Sequence, residues 1–451
     1  MINLIRALKS NEYQVPIWLG QVLAYIPFSC RPMIGSIYKH RSKEINEFDQ
    51  MTIDEQHKFI FNRIYNLVKY SVENITFYKD FYADKGFDIS QLKSFDDIQK
   101  IPVIEKADLL KYDIADRSNL SQPKFLVNTG GSSGFTLNFY VQPSSIGHEW
   151  AHIHKMWSIL GFKPSDLRLF AVGRSRVRNG IDYEFARHTL TMDIYKPFSE
   201  IATRLKDILR KYPCYYLHGY PSVLAEFAEN CSHDQELMKL LKGKLKGAFL
   251  NSEFPYPKYR DKIEQVFDIK TQSFYGHTER CVMAFEVDKK FKYIPFQTYG
   301  FTEALPKEDG HYYLIGTSYY NLATPLIRYN TKDIIDNPII DNGILRSFDI
   351  IEGRSGQFIL DKKGKEISLT GLVMGRHHEL FDCCSHIQIG QKEPGKAVIY
   401  YVPKNEIGIK DPSSMFDNSG VDIEFEFVKL TSPIRTLSGK VNLLVLPSLM
   451  Q

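Results

Sequence analysis

The chain has 451 residues, of which 43% are hydrophobic, and a formal net charge of +4. This length allows a large domain plus a smaller one, with enough apolar side chains for a substantial core. The basic residues are spread along the chain, so the charge pattern excludes nucleic acid as an expected partner. The six cysteines show no metal-binding spacing, and without a signal peptide we expect reduced thiols in a cytoplasmic protein.

The N-terminal segment, residues 1–50, contains a mostly apolar run from Val15 to Phe28 with basic residues on both sides. The run is too short to cross a bilayer, which needs about twenty apolar residues. Two interpretations follow. Either the run is a partly buried helix packed on the main domain, or it lies in a membrane interface while the flanking cations meet anionic lipids. The second interpretation would place the protein at the inner face of the membrane.

Apolar periodicity predicts an amphipathic helix over residues 55–80 and an aromatic-rich helix over residues 146–160. Short apolar runs predict buried strands that alternate with helices, at Leu167 to Val172, Cys214 to Leu217, Gly247 to Leu250 and Thr271 to Tyr275. Such alternation is typical of an α/β fold with a doubly wound, mostly parallel sheet, whose ligands bind at the carboxyl ends of the strands.

The rest of the chain has a different pattern. From Tyr312 onward β-branched residues and turns dominate, which predicts an antiparallel β subdomain. A boundary near Gly353 to Phe358 divides the chain into a large domain, residues 1–354, and a small, mobile α+β domain, residues 355–451.

A glycine- and hydroxyl-rich turn, residues 129–136, follows the apolar run 125–127 and the alternating segment 137–141 comes after it. Glycines let the backbone approach a ligand closely, and hydroxyl and N–H groups donate to anionic oxygens, so this turn is suited to phosphate. It is not a Walker loop, because Phe135 and Thr136 follow Gly134 where that motif has Lys and Ser or Thr. Taken alone, the pattern also fits a polar hairpin turn.

Four further motifs follow the turn in order: residues 273–279 (SFYGHTE), 327–333 (IRYNTKD), 352–354 (EGR) and 436–440 (TLSGK). Together with the turn they resemble the adenylate-forming superfamily, which activates a carboxylate with ATP. The lead-in segments 75–79, 86–88 and 101–109 are similar to the branch that contains phenylacetate-CoA ligase and the CapK-like proteins of capsular polysaccharide biosynthesis. The resemblance covers residues 55 to 440.

The resemblance implies an ATP site with Mg²⁺. Glu279 would be the Mg²⁺ ligand, because a hard cation prefers carboxylate oxygen. Thr278 would contact the α-phosphate, Tyr275 would stack against adenine, and Gly276 would be a further nucleotide-binding residue. The β- and γ-phosphates would be held by the residues of the turn, which are Thr129, Gly130, Gly131, Ser132, Ser133 and Gly134.

The resemblance also assigns the remaining nucleotide contacts. Asp333 would accept hydrogen bonds from the ribose diol, with Arg354 supporting the sugar or the phosphate. Ser252 and Glu253, after the strand that ends at Leu250, would line the adenine pocket. Lys440 would reach from the small domain to the reacting carboxylate and α-phosphate.

Substrate candidates come from two other places. Arg174, Arg176 and Arg178 alternate directly after a predicted buried strand, and such a cluster suits a carboxylate or phosphate. A solvated loop is the alternative. His218 and Tyr220 are candidate polar walls of the acyl pocket, although a single histidine is more often structural.

These observations predict an ATP-dependent carboxylate ligase that forms an acyl-adenylate and forms an amide on a sugar acid or amino acid in capsule or O-antigen biosynthesis. A CoA ligase for an aromatic or other small acid is the alternative, with coenzyme A rather than an amine as acceptor. A third alternative is a non-catalytic nucleotide- or glycan-binding relative, because two family positions differ. Gly356 stands where the superfamily usually has Asp, and Val441 to Leu443 replace a basic residue.

Overall fold

The computed structural model describes residues 15–128, 137–172, 177, 180–194, 196–288, 290–308, 310–350, 358–369, 372–373, 376, 378–403, 409, 411–434, 443–445 and 447. The helices are α1 (Ile17–Leu23), α2 (Ser36–Phe48), α3 (Ile53–Asn74), α4 (Thr76–Asp84), α5 (Lys106–Leu109), α6 (Ser145–Trp157), α7 (Phe198–Leu209), α8 (Pro221–Ser232), α9 (Gln235–Leu241), α10 (Pro257–Phe267) and α11 (Glu379–Cys383).

The strands are β1 (Phe125–Asn128), β2 (Asn138–Val141), β3 (Arg168–Val172), β4 (Ile181–Glu184), β5 (Thr189–Asp193), β6 (Tyr216–Gly219), β7 (Gly247–Leu250), β8 (Lys270–Gly276), β9 (Met283–Glu286), β10 (Lys292–Pro295), β11 (Gly300–Pro306), β12 (Tyr312–Ser318), β13 (Tyr329–Asp341), β14 (Ile344–Ile350), β15 (Phe358–Leu360), β16 (Glu366–Ser368), β17 (Cys384–Glu393), β18 (Lys396–Pro403), β19 (Glu424–Lys429) and β20 (Leu444–Val445).

One large mixed sheet organises residues 168–350. Its strand order is β11-β12-β13-β14-β10-β9-β8-β7-β6-β3-β5-β4. Strands β5, β3, β6, β7 and β8 run parallel, as the alternation of strands and helices predicts. The antiparallel region begins at β9 rather than at Tyr312, and it continues the same sheet because β8 pairs antiparallel with β9. Sequence patterns missed this junction because strand order depends on long-range pairing.

Helices cover both faces of the parallel strands. On one face Tyr216 and Phe249 pack with Trp157 of α6, whose ring stacks on Phe249 at 4.4 Å between centroids. On the other face Leu217 and Ala248 pack among apolar side chains of α7 to α10. Successive strand residues point to opposite faces, so runs that are apolar throughout fit strands buried on both sides.

Several predicted elements are confirmed with shifted ends. The helix predicted over residues 55–80 is two helices, because Ile75 is extended (φ −135°, ψ 118°) and buried between them. α3 begins with a capping box, in which Thr52 Oγ1 accepts the Glu55 N–H and the Glu55 carboxylate accepts the Thr52 N–H. The strand predicted from Cys214 to Leu217 instead runs Tyr216–Gly219.

Helix α1 combines features of both interpretations of the N-terminal run. Gly20 faces the main domain so closely that a Cβ there would lie 1.9 Å from the Tyr183 hydroxyl oxygen. Trp18 and Val22 of the helix are exposed, and so is Tyr25 just beyond its end, which is 82% accessible. The packed face fits the prediction of a partly buried helix. Membrane contact through the exposed face stays a prediction, and among the described helices none has the length and apolarity to cross a bilayer.

The C-terminal strands form a four-stranded sheet of order β19-β18-β17-β20 beside the two-stranded β15–β16 sheet. Their apolar side chains form a core of their own, which includes Ile359, Leu380, Ile389 and Ile399. The division at residues 354 and 355 falls outside the described residues, so the domain boundary stays a prediction.

Candidate active site

Three neighbouring parallel strands end at one edge of the sheet, and each end carries residues that the sequence marks as candidates. β6 ends at Gly219, β7 at Leu250 and β8 at Gly276. Parallel strands share a direction, so their carboxyl ends lie together, and ligands of open α/β sheets bind at that edge. The topology therefore places His218 and Glu253 at the same edge as the β8 motif.

Tyr275 and Asp333, predicted to contact adenine and ribose, are brought together. The Tyr275 hydroxyl donates a hydrogen bond to the Asp333 carboxylate. Tyr275 lies near the end of β8 and Asp333 lies in β13, with three strands of the sheet between them. The ring of Phe348 lies edge-on to Tyr275 with centroids 6.4 Å apart, and the Asp333 N–H donates to Thr331 Oγ1 at 3.2 Å.

Glu279, the predicted Mg²⁺ ligand, lies in the turn after β8, and its side chain is buried. The Tyr329 hydroxyl donates to Glu279 Oε1 at 3.4 Å, and His277 Nδ1 lies 3.1 Å from Oε2. Tyr329 begins the strand that also carries Asp333. The motifs at residues 273–279 and 327–333 thus meet through two contacts, Tyr275 with Asp333 and Glu279 with Tyr329.

The start of the turn is open. Gly276 and Thr278 are exposed. A Cβ added to Gly276 would have Phe274 as its nearest neighbour at 4.0 Å, and the backbone there needs no positive φ. The packing of the described residues therefore does not require glycine at this position. A glycine beside Tyr275 and Glu279 leaves room for the backbone to approach a ligand.

The end of the turn is enclosed. A Cβ on Gly300 would lie 2.2 Å from the Cys281 carbonyl oxygen, and one on Gly316 would lie 2.6 Å from Cys281 Cβ. Burial raises the pKa of the Cys281 thiol well above its usual value, and the negative charge of Glu279 raises it further. The thiol therefore stays protonated and acts as a packing group.

The glycine-rich turn is carried by a hairpin that packs on the same core. β1 and β2 pair antiparallel up to Asn128 opposite Asn138, so residues 129–137 connect them. The hairpin and the β8 turn share one apolar cluster, which includes Leu137, Phe139, Val141, Cys281, Val282 and Tyr329. Arg280 links the turn to α6, because its guanidinium donates to Ser145 Oγ at 2.7 Å and lies 3.2 Å from the Glu149 carboxylate.

Some predicted residues lie outside the described residues, and their roles stay predictions. They are Thr129, Gly130, Gly131, Ser132, Ser133, Gly134, Arg174, Arg176, Arg178, Arg354 and Lys440.

Glu253, predicted to line the adenine pocket, contacts the start of α8. Its carboxylate accepts hydrogen bonds from the Ser222 N–H at 3.2 Å and from Ser222 Oγ at 2.7 Å. A carboxylate at a helix N-terminus satisfies open N–H groups and interacts favourably with the helix dipole. Ser252 is exposed and left-handed, with a φ of 67°. Glu253 thus fixes the loop after β7, a contact that strand patterns alone do not reveal.

His218 and Tyr220 flank the end of β6 and are both buried. The His218 ring stacks on Phe170 of β3 at 4.4 Å and meets the Trp157 ring edge-on at 4.9 Å. Tyr220 is the residue before α8. Both residues therefore lie at the carboxyl edge of the sheet, at the end of the strand that pairs with β3.

Two residues of this group were missed at the sequence level. His277 and Tyr329 lie inside motifs that the sequence marks, in Tyr-Gly-His-Thr-Glu and Arg-Tyr-Asn-Thr-Lys-Asp. Their signal was a polar or aromatic side chain within a motif. The contact of Tyr329 with Glu279 depends on the sheet that brings β13 near the end of β8, and the contacts of His277 depend on the fold of the turn after β8.

The residues fit Mg²⁺ only as part of a nucleotide complex. No group of three or more His, Cys, Asp or Glu side chains that could hold a metal occurs in the described parts of the chain. Mg²⁺ in phosphate chemistry is commonly bound through one or two carboxylates together with substrate phosphates and water. Glu279, a buried carboxylate next to the exposed Thr278, fits such a role.

No family model matches the chain. Protein CapK of Staphylococcus aureus is 21% identical over 403 residues, which are 86% of this chain and 86% of CapK. The crystal structure of 2-hydroxyisobutyryl-CoA ligase with 2-HIB-AMP and CoA, in the thioesterification state, has a TM-score of 0.56 and 18% identity, covering 88% of this chain and 90% of that chain. The chain has the fold of the adenylate-forming superfamily.

The same ligase in the postadenylation state, with R3-HIB-AMP, has a TM-score of 0.52 and 17% identity over 88% of this chain and 90% of that chain. The fold shared with this ligase confirms the predicted α/β fold class.

Proposed function

We propose that this protein is an ATP-dependent carboxylate ligase that forms an acyl-adenylate and passes the acyl group to an acceptor. The hydrogen bond between Tyr275 and Asp333 carries the proposal, together with the contact between Tyr329 and Glu279. These contacts bring an aromatic ring, a carboxylate able to accept a diol and a carboxylate suited to Mg²⁺ to one open edge. These three kinds of group suit the adenine, the ribose and the metal ion of a magnesium–nucleotide complex.

In the proposed first step, an oxygen of the substrate carboxylate attacks the α-phosphorus of ATP and the bond to pyrophosphate breaks. Two anions must meet, so catalysis depends on fixed donors and positive charge. Thr278 is exposed at the open end of the turn and would donate its hydroxyl to the α-phosphate. Lys440 would bring a positive charge to the reacting oxygens. Mg²⁺ bound at Glu279 would neutralise phosphate charge.

The other predicted residues would bind the nucleotide without taking part in bond changes. The donors of Thr129 to Gly134 would hold the β- and γ-phosphates. Asp333 would accept the ribose hydroxyls, with Arg354 beside it, while the Tyr275 ring and the open face of Gly276 would lie against adenine. Ser252 is exposed at the same edge, and Glu253 would support the pocket by fixing its loop to α8.

For the second step we propose an amine acceptor, which would give an amide on a sugar acid or amino acid in capsule or O-antigen biosynthesis. The reciprocal 86% coverage with CapK supports this class. Arg174, Arg176 and Arg178 would favour an acid that carries a further anionic group. His218 and Tyr220, at the end of β6, would supply polar walls for a hydroxylated acid.

A CoA ligase for an aromatic or other small acid is the second candidate. The observation in its favour is that the 2-hydroxyisobutyryl-CoA ligase structure with the TM-score of 0.56 contains CoA. In this version the thiol of coenzyme A attacks the acyl carbonyl and AMP leaves.

The test is carboxylate-dependent exchange of radioactive pyrophosphate into ATP, over a panel of uronic, amino and aromatic acids. Glu279→Gln and Lys440→Ala are each expected to reduce exchange about 10²–10³-fold, a loss typical of a removed electrostatic contact. Glu229→Gln, an exposed carboxylate on α8, and Lys396→Ala, an exposed lysine of β18, are the matched controls and should exchange normally.

The acceptor is then varied with the acid that supports exchange. AMP release that requires an amine supports amide formation, and release that requires coenzyme A supports the thioester alternative. A protein that binds nucleotide but shows no exchange with any acid of the panel would contradict the ligase proposal and favour the non-catalytic binding relative.

A further inference from the structure

His277 joins the enclosed and open parts of the β8 turn. Its side chain is 4% exposed. The Val282 backbone N–H donates to His277 Nε2 at 3.1 Å, and His277 Nδ1 lies 3.1 Å from Glu279 Oε2. One ring thus contacts the backbone at the base of the turn and the carboxylate that is proposed to bind Mg²⁺.

The two contacts define which nitrogen carries the proton. A backbone N–H only donates, so Nε2 must accept and is unprotonated. The ring proton is then on Nδ1, which faces the Glu279 carboxylate and donates to it. The imidazole is therefore a directed donor, with its tautomer set by Val282.

The end of the turn, to which His277 is bound through the Val282 N–H, is closely packed. Cys281 packs against Gly300 and Gly316 so closely that neither position has room for a Cβ. Arg280 is left-handed, with a φ of 58°, and its N–H donates to the His277 carbonyl oxygen at 3.1 Å. The Val282 N–H that orients the imidazole is consequently fixed by backbone packing.

We propose that His277 is a positioning residue that holds the Glu279 carboxylate in the orientation needed to bind a metal–nucleotide complex. The inference rests on the proposed role of Glu279 as the metal ligand. His277 binds Oε2 and Tyr329 binds Oε1, so the carboxylate is oriented from both oxygens. Groups that hydrogen-bond to a metal ligand orient that ligand and strengthen metal binding.

The test compares His277→Ala, which removes both contacts, with His277→Asn, whose amide retains a donor near the position of Nδ1. The control is His233→Ala, because His233 makes a similar contact with Glu229 at 3.3 Å on the surface of α8. The readout is the dissociation constant of Mn²⁺, measured by electron paramagnetic resonance in the presence of the non-hydrolysable analogue AMPCPP. Thermal unfolding of each variant is measured in parallel.

We expect His277→Ala to weaken Mn²⁺ binding about 10–100-fold, as for other outer-shell partners of metal ligands. His277→Asn should restore the affinity to within about threefold of the wild type, because it keeps the donor to Glu279. His233→Ala should bind Mn²⁺ as the wild type does. Unchanged Mn²⁺ affinity in His277→Ala would overturn the proposal, and so would equal losses in the alanine and asparagine variants.

The metal readout separates this inference from the proposed function. If the wild type shows no pyrophosphate exchange while His277→Ala loses Mn²⁺ affinity and His277→Asn regains it, the ligase proposal fails and the role of His277 stands. If exchange depends on Glu279 but is as sensitive to the Mg²⁺ concentration in His277→Ala as in the wild type, the ligase proposal stands and the role of His277 fails.

Discussion

The two ends of strand β8 use their polar groups differently. Near its start, the carboxylate of Glu286 in the neighbouring strand β9 accepts four hydrogen bonds. Two come from the terminal nitrogens of Arg260 at 2.7 and 2.9 Å, one from the Ser273 N–H at 2.9 Å and one from the Phe291 N–H at 2.6 Å. At its other end, Gly276 and Thr278 are exposed beside Tyr275 and Glu279.

The difference separates two uses of a carboxylate within one sheet. Glu286 is enclosed and accepts four donors from the protein, so its contacts serve the fold. Glu279 is oriented from both oxygens by His277 and Tyr329, but it lies next to exposed backbone. Burial alone does not distinguish them, since both side chains are nearly inaccessible. The open neighbours at the carboxyl end of β8 are what identify a site.

The largest expected effect is at the start of β8, where the Glu286 carboxylate is enclosed. Arg260→Met leaves Glu286 buried without its ion-pair partner and should reduce the free energy of unfolding by about 3–5 kcal/mol, measured by urea titration. The folded variant should keep its nucleotide affinity. Arg210→Met, which breaks an exposed pair with Glu236, should leave stability unchanged. Comparable stability of the two variants would contradict the structural role of the Arg260–Glu286 pair.

Glu279→Gln should show the reverse pattern. The amide is nearly isosteric, so the urea midpoint should change little, whereas pyrophosphate exchange should fall about 10²–10³-fold because a charged ligand is lost. Exchange kinetics and urea unfolding on the same preparation separate the two effects. Loss of stability with retained exchange would place Glu279 with Glu286 among the structural carboxylates.

Gly300→Ala tests the close packing around Cys281 at the end of the turn that follows β8. Its Cβ would lie 2.2 Å from the Cys281 carbonyl oxygen and 2.6 Å from that of Thr317, so backbone must move. We expect a destabilisation of about 1–3 kcal/mol in urea unfolding, the usual cost of overpacking. A variant as stable as the wild type would contradict this close packing.

Gly276→Ala gives the smallest effect and is the matched opposite of Gly300→Ala. Among the described residues, apart from its two chain neighbours, none lies closer than 4.0 Å to the added methyl group, so stability should change by less than about 0.5 kcal/mol. If a nucleotide occupies that space, the KM for ATP should rise about tenfold, which corresponds to about 1.4 kcal/mol. An unchanged KM would show that the open face of Gly276 does not contact the nucleotide.

The sequence predicted elements whose signal is local. The buried strand Gly247–Leu250 follows from its apolar run, and the helix that begins near residue 55 follows from its apolar period. The break at Ile75 escaped because the apolar period continues across it, while the core buries this β-branched residue in an extended conformation.

Long-range pairings could not be predicted in this way. Motif order indicated that Tyr275 and Asp333 belong to one site, but their contact depends on how the sheet brings β8 near β13. The contact of Glu253 with Ser222 likewise depends on a neighbour from another element, because Ser222 belongs to α8. The tautomer of His277 depends on how the turn after β8 folds back to bring the Val282 N–H to the ring. Such contacts are set by tertiary packing rather than by local pattern.

The most direct test of this account is hydrogen–deuterium exchange with and without AMPCPP and Mg²⁺. We expect nucleotide-dependent protection in peptides covering residues 275–279 and 329–333, with no change in those covering 260–264 and 284–288. Protection confined to the Arg260–Glu286 end of β8, or none at residues 275–279 and 329–333 at saturating nucleotide, would contradict it.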